Sequence, residues 1–289
     1  MGGMADSRMR TVVDEVEWYG KVARRKDLVA RGCTEWHIRK AVSEGQLRRI
    51  DRGYYALPDA DPLDVRLALH QARRTCFTKA EQLGLWIIKA PNLPHVAAAH
   101  GRPVPGCVVH KVKGPQTLMD ILRQCIKCGS EVEGLAVVES AVVKDLCTIP
   151  ELRVAFAGRE DARARAIIDM IDPQSMSIAE TVARYYLKKD GLNVQGQYYV
   201  KDVGHLDLLV EGVLCVETDG EQFHNTPQGW AEDLRRDNLL VIKGKWCLRI
   251  PAKVVLGRPD IMLGWVRQAL AMISSAPKPS VNLAHKLAA

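Results

Sequence analysis

Three carboxylates stand where two buried strands are expected. The stretch "HLDLLVEGVLCVETDGEQFHN", His205 to Asn225, carries Asp207 in its first apolar run and Glu217 and Asp219 in its second. Alternation along a strand puts Asp207 on the face opposite Leu206 and Leu208, and the two-residue spacing puts Glu217 and Asp219 on one face. A hairpin turning at Glu211-Gly212 would bring Asp207 to Glu217 and Asp219. Glu180 can approach from a helix packed on the sheet; three residues after Ser177 it also fits a capping box, and both roles stay open. Carboxylates so placed repel one another unless a cation neutralises them, some are protonated, or basic residues pair with them. Hard divalent cations with oxygen ligands, Mg²⁺ or Mn²⁺, suit the set best. Such an ion polarises a phosphodiester and lowers the pKa of an attacking water. The flanking "LLV" and "VLCV" demand burial, which argues against plain surface acids.

A second set is basic. In "CTEWHIRKAVSEGQLRRIDRGYYALP", Thr34 is a good N-cap, Trp36, Ile38, Ala41 and Val42 give an apolar face, and Gly45 ends the helix. Two short strands follow around the turn Asp51-Arg52-Gly53. With the helical spacing of "VDEVEWYGKVARRKDLVARG" before it, stopped at Gly32, the order is that of a winged helix-turn-helix. Arg39 and Lys40, with His37 beside them, lie on the second helix, and Arg48, Arg49 and Arg52 lie on the wing. Basic residues on the two elements that would meet a duplex suit base and phosphate contacts; the plainer alternative is a solvated basic face.

The elements that must position these sets divide the chain into an N-terminal winged helix (1–58), a mixed middle region (63–172), a C-terminal α/β block (173–276) and a tail (277–289) whose "HKLAA" reads as a cloning scar. The fold class is α/β in the multidomain α+β sense. The "PDADP" stretch reads as a linker. In the middle, "LDVRLALHQARR" and "FTKAEQLGLW" read as helices and "HVAAAHG" and "CVVHKVKG" as strands. "TLMDILRQCIKCG", "EVEGLAVVESAVVKDL" and "IPELRVAFAGREDARARAIIDMI" then read as helices. The region is expected to be a scaffold, with His70, His95, His100 and His110 as surface or structural residues. One CxxC exists, Cys125-Ile-Lys-Cys128; its nearby partners for a zinc site would be Cys107 and His110, and the expectation is reduced cysteines in a helical hairpin. The C-terminal block reads helix, three strands, helix, strand, helix.

The C-terminal pattern Asp207-x9-Glu217-x-Asp219, with Glu180 upstream, resembles the PD-(D/E)XK nuclease superfamily. More narrowly, "GHLDLLVEGVLCVETDGEQFHN" with the later "DLRRDNLLVIKGKWCLRI" resembles the DUF559 group, relatives of the very-short-patch-repair endonucleases. The resemblance implies that Asp207 and Glu217 are metal ligands, with the Thr218 carbonyl as a backbone ligand. Asp219 occupies the place where many members of the superfamily have the motif lysine. The cationic role would then pass to Arg236, Lys243 or Lys245, or to a second metal ion. Gln222 and His224 follow the strand closely enough to reach a phosphate or water, and an ordinary loop role for His224 stays open. Asp233 and Asp237 read as partners of Arg235 and Arg236 on a solvated helix face. At the other end, "GCTEWHIRKAVSEGQLRRIDRGYYAL" resembles the N-terminal domain of AbiEi-family antitoxins, which implies a winged-helix DNA contact, and the middle region is similar to such proteins in element order.

Composition agrees with a globular protein handling nucleic acid: 47% hydrophobic, 26% charged, net charge +7. No apolar run spans a bilayer and no secretory signal precedes the chain, which argues for the cytoplasm and no membrane. The expected function is a Mg²⁺- or Mn²⁺-dependent DNA endonuclease or nickase, targeted to duplex DNA by the winged helix. The alternative is a non-catalytic antitoxin or repressor whose nuclease fold is kept for binding. A homodimer stays open, since one metal site cuts one strand at a time.

Overall fold

The computed structural model describes residues 11–219 and 227–275, the latter with side chains from 234. It is mixed α/β and divides into two compact units. The first comprises residues up to 84 with 89–124; the second comprises 85–88 with 125 onwards.

The first unit opens with α1 (Val12–Trp18), β1 (Val22–Arg24), α2 (Arg25–Ala30), α3 (Glu35–Ser43), β2 (Arg48–Asp51) and β3 (Tyr54–Ala56). The strands form an antiparallel sheet in the order β1-β3-β2. This is a winged helix: helices around a small core, with β2 and β3 as the wing. The core is Val12 and Val16 of α1, Leu28 of α2, and Ile38 and Ala41 of α3, joined by Leu47 just before β2. The helical spacing expected across residues 13–32 is broken, because Gly20 and Lys21 both take positive φ and Val22–Arg24 pairs with Tyr54–Ala56. This three-residue strand pairs with one far along the chain, Val22 with Ala56 and Arg24 with Tyr54, which local periodicity does not report.

The unit continues with α4 (Pro62–Leu69), β4 (Ala72–Arg74), α5 (Cys76–Gln82), β5 (His95–Ala98), β6 (Val108–Lys111) and the start of α6 (Leu118–Cys128). Asp61 caps α4 through the Leu63 N–H, with Pro62 in the first turn. Residues 72–74, expected to continue that helix, instead form the edge of a second sheet, β4-β5-β6, with β4 antiparallel and β6 parallel to β5. Leu67, Ala72, Val96, Ala98 and Val104 form its core.

The second unit contains α7 (Glu131–Val143), α8 (Ile149–Ala155), α9 (Ala162–Ile168), α10 (Ile178–Lys189), β7 (Val194–Val200), β8 (Gly204–Val210), β9 (Leu214–Asp219), α11 (Pro227–Ile242), β10 (Trp246–Pro251), α12 (Ala252–Gly257) and α13 (Pro259–Ser275). The division at residue 124 falls inside the segment expected as one middle domain, 63–172. Its reason is packing: Glu139 of α7, fully buried, is ion-paired with Arg184 of α10 and accepts from the Asp172 N–H at 2.7 Å. Those helices therefore go with the C-terminal sheet.

The sheet order is β10-β9-β8-β7: an antiparallel meander, then α11, then β10 returning parallel to β9. Residues of α10, α12 and α13 cover one face with Leu208, Val210, Leu214 and Val216. Leu240 of α11 covers the other with Leu206, Leu209 and Cys215. Leu206 and Leu208 therefore belong to different cores, where simple alternation had put them on one face. The ladder explains it: β7 and β8 pair on both sides of Asp207 but not at Gln197 and Asp207, and Gln197 has φ +47°. The irregularity twists β8 at Asp207.

Candidate nucleic-acid interface and carboxylate site

The basic site begins with the capping of α3. The Thr34 hydroxyl accepts from the His37 N–H at 3.2 Å, and His37 Nδ1 accepts from the Thr34 N–H at 3.4 Å. That capping box sets the pitch of the helix and hence which side chains share a face. Glu35, Arg39, Val42 and Ser43 line one face, which with the wing encloses a groove of about 920 Å³. Arg49, Arg52, Tyr54 and Tyr55 line it from the wing, and Arg24, Arg25 and Lys26 from the start of α2. The wing turn is tied to α2 by the Arg25 N–H, which donates to the Gly53 carbonyl at 2.8 Å. Gly53 takes φ +76°, a left-handed turn that a side chain would strain.

Six cations and one acid thus face the groove, and the acid, Glu35, is paired with Arg25. Arg39, Arg49 and Arg52 are exposed, and beyond the Arg49 Nε bond to the Asp51 carbonyl at 3.3 Å their guanidinium groups offer donors to phosphate or a base edge. The structure does not keep all the expected residues together. His37 and Lys40 lie on the other side of α3, beside Trp36, Glu15 and Arg31. There Lys40 sits 3.7 Å from Glu44 and over the Trp36 ring. Arg48 points its Nε to the Leu57 carbonyl at 3.4 Å. The sequence reading missed Arg24, Arg25 and Lys26, because it placed them inside a helix. The signal was the run "RRK" after Gly20-Lys21, which a helix break turns into a charged helix start.

The acidic site lies in the second unit, where the β8–β9 ladder ends. Leu208 pairs with Val216, and beyond that pair Asp207 accepts from the Thr218 N–H at 2.8 Å and the Thr218 hydroxyl at 3.0 Å. The carboxylate stands in for a ladder acceptor, so the Thr218 N–H is satisfied. Glu180, 5% exposed, accepts from the Met176 N–H at 2.9 Å and the Gln197 amide at 2.8 Å. Its own N–H donates to Ser177 at 3.2 Å, so the serine cap is present. The carboxylate reaches back to Met176 and across to Gln197. Glu217 lies beside the Cys215 thiol at 3.3 Å and Arg236 at 3.9 Å. Asp219 is held by Arg249 in a two-pronged pair of 2.7 and 3.0 Å.

Asp207 is the shared electrostatic neighbour. Burial first, and then the Asp207 charge, pushes the Glu217 carboxyl above the usual carboxylate range. Burial also raises Glu180, with Asp207 adding to it and the Met176 N–H opposing. Among the three basic residues expected to stand in for a motif lysine, Arg236 lies at the acids. It also donates to the His205 carbonyl at 2.8 Å. Lys243 pairs with Asp202 at 3.3 Å, and Lys245 donates to the Gly212 carbonyl, at the end of β9 opposite Asp219. Gln222 and His224 lie outside the described residues. Asp237 lies 4.0 Å from Arg249. Gln197 was missed; a positive φ on a non-glycine residue leaves no mark in the sequence.

A hard divalent ion finds part of a donor set here. Asp207 and Glu217 are oxygen donors whose mutual repulsion a cation would relieve. Asp219 does not fit in this arrangement, since both its oxygens are engaged by Arg249. Among the described residues, the donor group close enough to close on an ion contains none of these acids.

No helix among the described residues is long and apolar enough to cross a membrane. No curated protein matches the chain. The segment that carries the basic groove, residues 10–58, matches the family model described as "Transcriptional regulator, AbiEi antitoxin".

Proposed function

We propose that the chain is a duplex-DNA-binding transcriptional regulator of the antitoxin kind, reading DNA with α3 and gripping the backbone with its wing. The observation that carries this reading is the groove that Arg39 shares with Arg49 and Arg52. A recognition helix in the major groove supplies one or two base contacts, and flanking arginines supply sequence-independent phosphate contacts. The match of residues 10–58 to a regulator model supports the same assignment. Footprinting on the DNA upstream of the protein's own coding region, in buffer without added divalent cation, tests it. Protection of a discrete site supports the reading, and uniform binding with no preferred site counts against it.

A second reading rests on Asp207. That one carboxylate lies between Glu180 and Glu217, both pushed toward the protonated form, which supports a nuclease-type site. Mg²⁺ or Mn²⁺ would be held by Asp207 and Glu217 with the Thr218 carbonyl, and would polarise a phosphodiester. Arg236 would neutralise charge beside Glu217. Plasmid incubated with either ion, compared across wild type, Asp207→Ala and Glu217→Ala, tests it. Cleavage lost in both variants supports the reading; equal inertness of all three proteins removes it.

A further inference from the structure

We infer that Cys76, His95 and His110 of the first unit form a binding site for a zinc ion, distinct from both charged sites described above. Cys76 is fully buried at the start of α5, His95 opens β5, and His110 lies on β6. The strands pair in parallel, Ala97 opposite His110, so His110 is diagonal to His95 on the same face of the sheet. His95 Nδ1 lies 3.0 Å from His110 Nε2. The Cys76 sulfur and ring nitrogens of both histidines all lie within 4.8 Å of one another. Ligands on a tetrahedral zinc, at about 2.0–2.3 Å from the ion, stand roughly 3.3–3.8 Å apart, so small rotations close this set on a metal.

The surroundings hold the donors in place. Cys76 takes φ +49°, a left-handed conformation that strains a non-glycine residue. It is kept there because its N–H donates to Gln124 Oε1 at 3.1 Å and the Thr75 N–H donates to the His95 carbonyl at 3.0 Å. The His95 N–H in turn donates to the Thr78 hydroxyl at 2.8 Å. Helix start and strand start are thus bonded to each other, which fixes the backbone that carries Cys76 and His95. A thiolate with two imidazoles excludes Mg²⁺ and Ca²⁺ and selects zinc or a similar borderline ion. The fourth position is for water or a further donor. The sequence offered Cys107 and His110 only as the partners that a zinc site at the CxxC would need, and its expectation was reduced cysteines. Cys107 instead directs its thiol to the Pro105 carbonyl at 3.6 Å, and His110 finds Cys76 and His95. The site would tie β5 and β6 to α5.

The competing account is a plain hydrogen bond between two neutral imidazoles. Metal analysis of the full chain, followed by Co²⁺ titration after zinc removal, separates the two. The expected result is one zinc per chain, tetrahedral-type cobalt bands in the visible and a thiolate-to-cobalt charge-transfer band in the near ultraviolet. Cys76→Ser should weaken both the charge-transfer band and Co²⁺ binding, and His95→Gln and His110→Gln should weaken Co²⁺ binding more than tenfold, while His100→Gln binds as wild type. Wild-type protein with no stoichiometric metal and no cobalt bands overturns the proposal, without need of any variant folding. So does Cys76→Ser protein whose Co²⁺ bands and affinity equal those of the wild type.

Discussion

In the winged-helix groove Arg39, Arg49 and Arg52 hold their charge at the surface, whereas Asp207 and Asp219 of the four-stranded sheet and Glu180 of α10 already accept from Thr218, Arg249, Met176 and Gln197. The difference follows from burial. A guanidinium left in water costs the fold little and keeps its donors for a ligand. A carboxylate at the edge of a core must be satisfied internally or shift toward its neutral form, as Glu217 and Glu180 do. Removing a groove cation should therefore appear in binding and hardly in stability; removing a charge from the second unit should appear in stability or titration first.

The largest effect is expected at the buried pair. Glu139→Ala leaves Arg184, about 2% exposed, without its close carboxylate and with the longer 3.9 Å approach to Asp172, and should cost about 3–5 kcal/mol in denaturant unfolding. An effect near zero would mean that the second unit does not depend on internal charge satisfaction. Next, Arg39→Ala should weaken specific duplex binding by about 1–3 kcal/mol and relax discrimination at one base position. Its stability should change by less than about 0.5 kcal/mol, as for an ordinary surface position. Arg52→Ala should weaken all sequences alike and reduce the slope of log affinity against log salt by about 0.9, one phosphate contact.

The smallest effect sharpens the acidic side. Asp207→Asn removes the charge that Glu217 and Glu180 share, so carboxyl NMR should show both titrating closer to the ordinary range. The sign follows from linkage: a carboxyl raised in the folded state binds its proton more tightly there than unfolded. Its stabilising contribution is complete below the ordinary pKa and is lost as pH rises through the raised one. Asp207→Asn should therefore flatten the loss of stability on going from acid to neutral pH. Unmoved titrations would remove Asp207 from its place between the two glutamates.

How much was legible beforehand depended on whether the cause was local. Thr34 and Gly45 bound α3, and Asp51-Arg52-Gly53 marks the wing, because caps and turns are written in neighbouring residues. The strands flanking Glu211-Gly212 and the approach of Asp207 to Glu217 were legible from spacing. The short strands β1 and β4 were not, since each exists only by pairing with a strand many residues away. With β1 unseen, Arg24, Arg25 and Lys26 were hidden from the groove. The split of α3 into an Arg39 face and a His37–Lys40 face was readable in principle from the 3.6-residue period, but needed the wing's position to say which face mattered. The pairing of Asp219 with Arg249 needed the parallel register of β9 and β10, which sets Glu217 opposite Arg249.

The most direct test of the central claim, that DNA is bound through the exposed cations of the groove and not through the acids of the sheet, is fluorescence anisotropy with a labelled duplex from upstream of the coding region. Wild type, the triple variant Arg39→Ala/Arg49→Ala/Arg52→Ala and the double variant Asp207→Asn/Glu217→Gln would be compared at one salt concentration. The account predicts that the triple variant loses nearly all affinity while the double variant binds as wild type. A triple variant that binds as tightly as wild type, or a double variant that no longer binds, would contradict it.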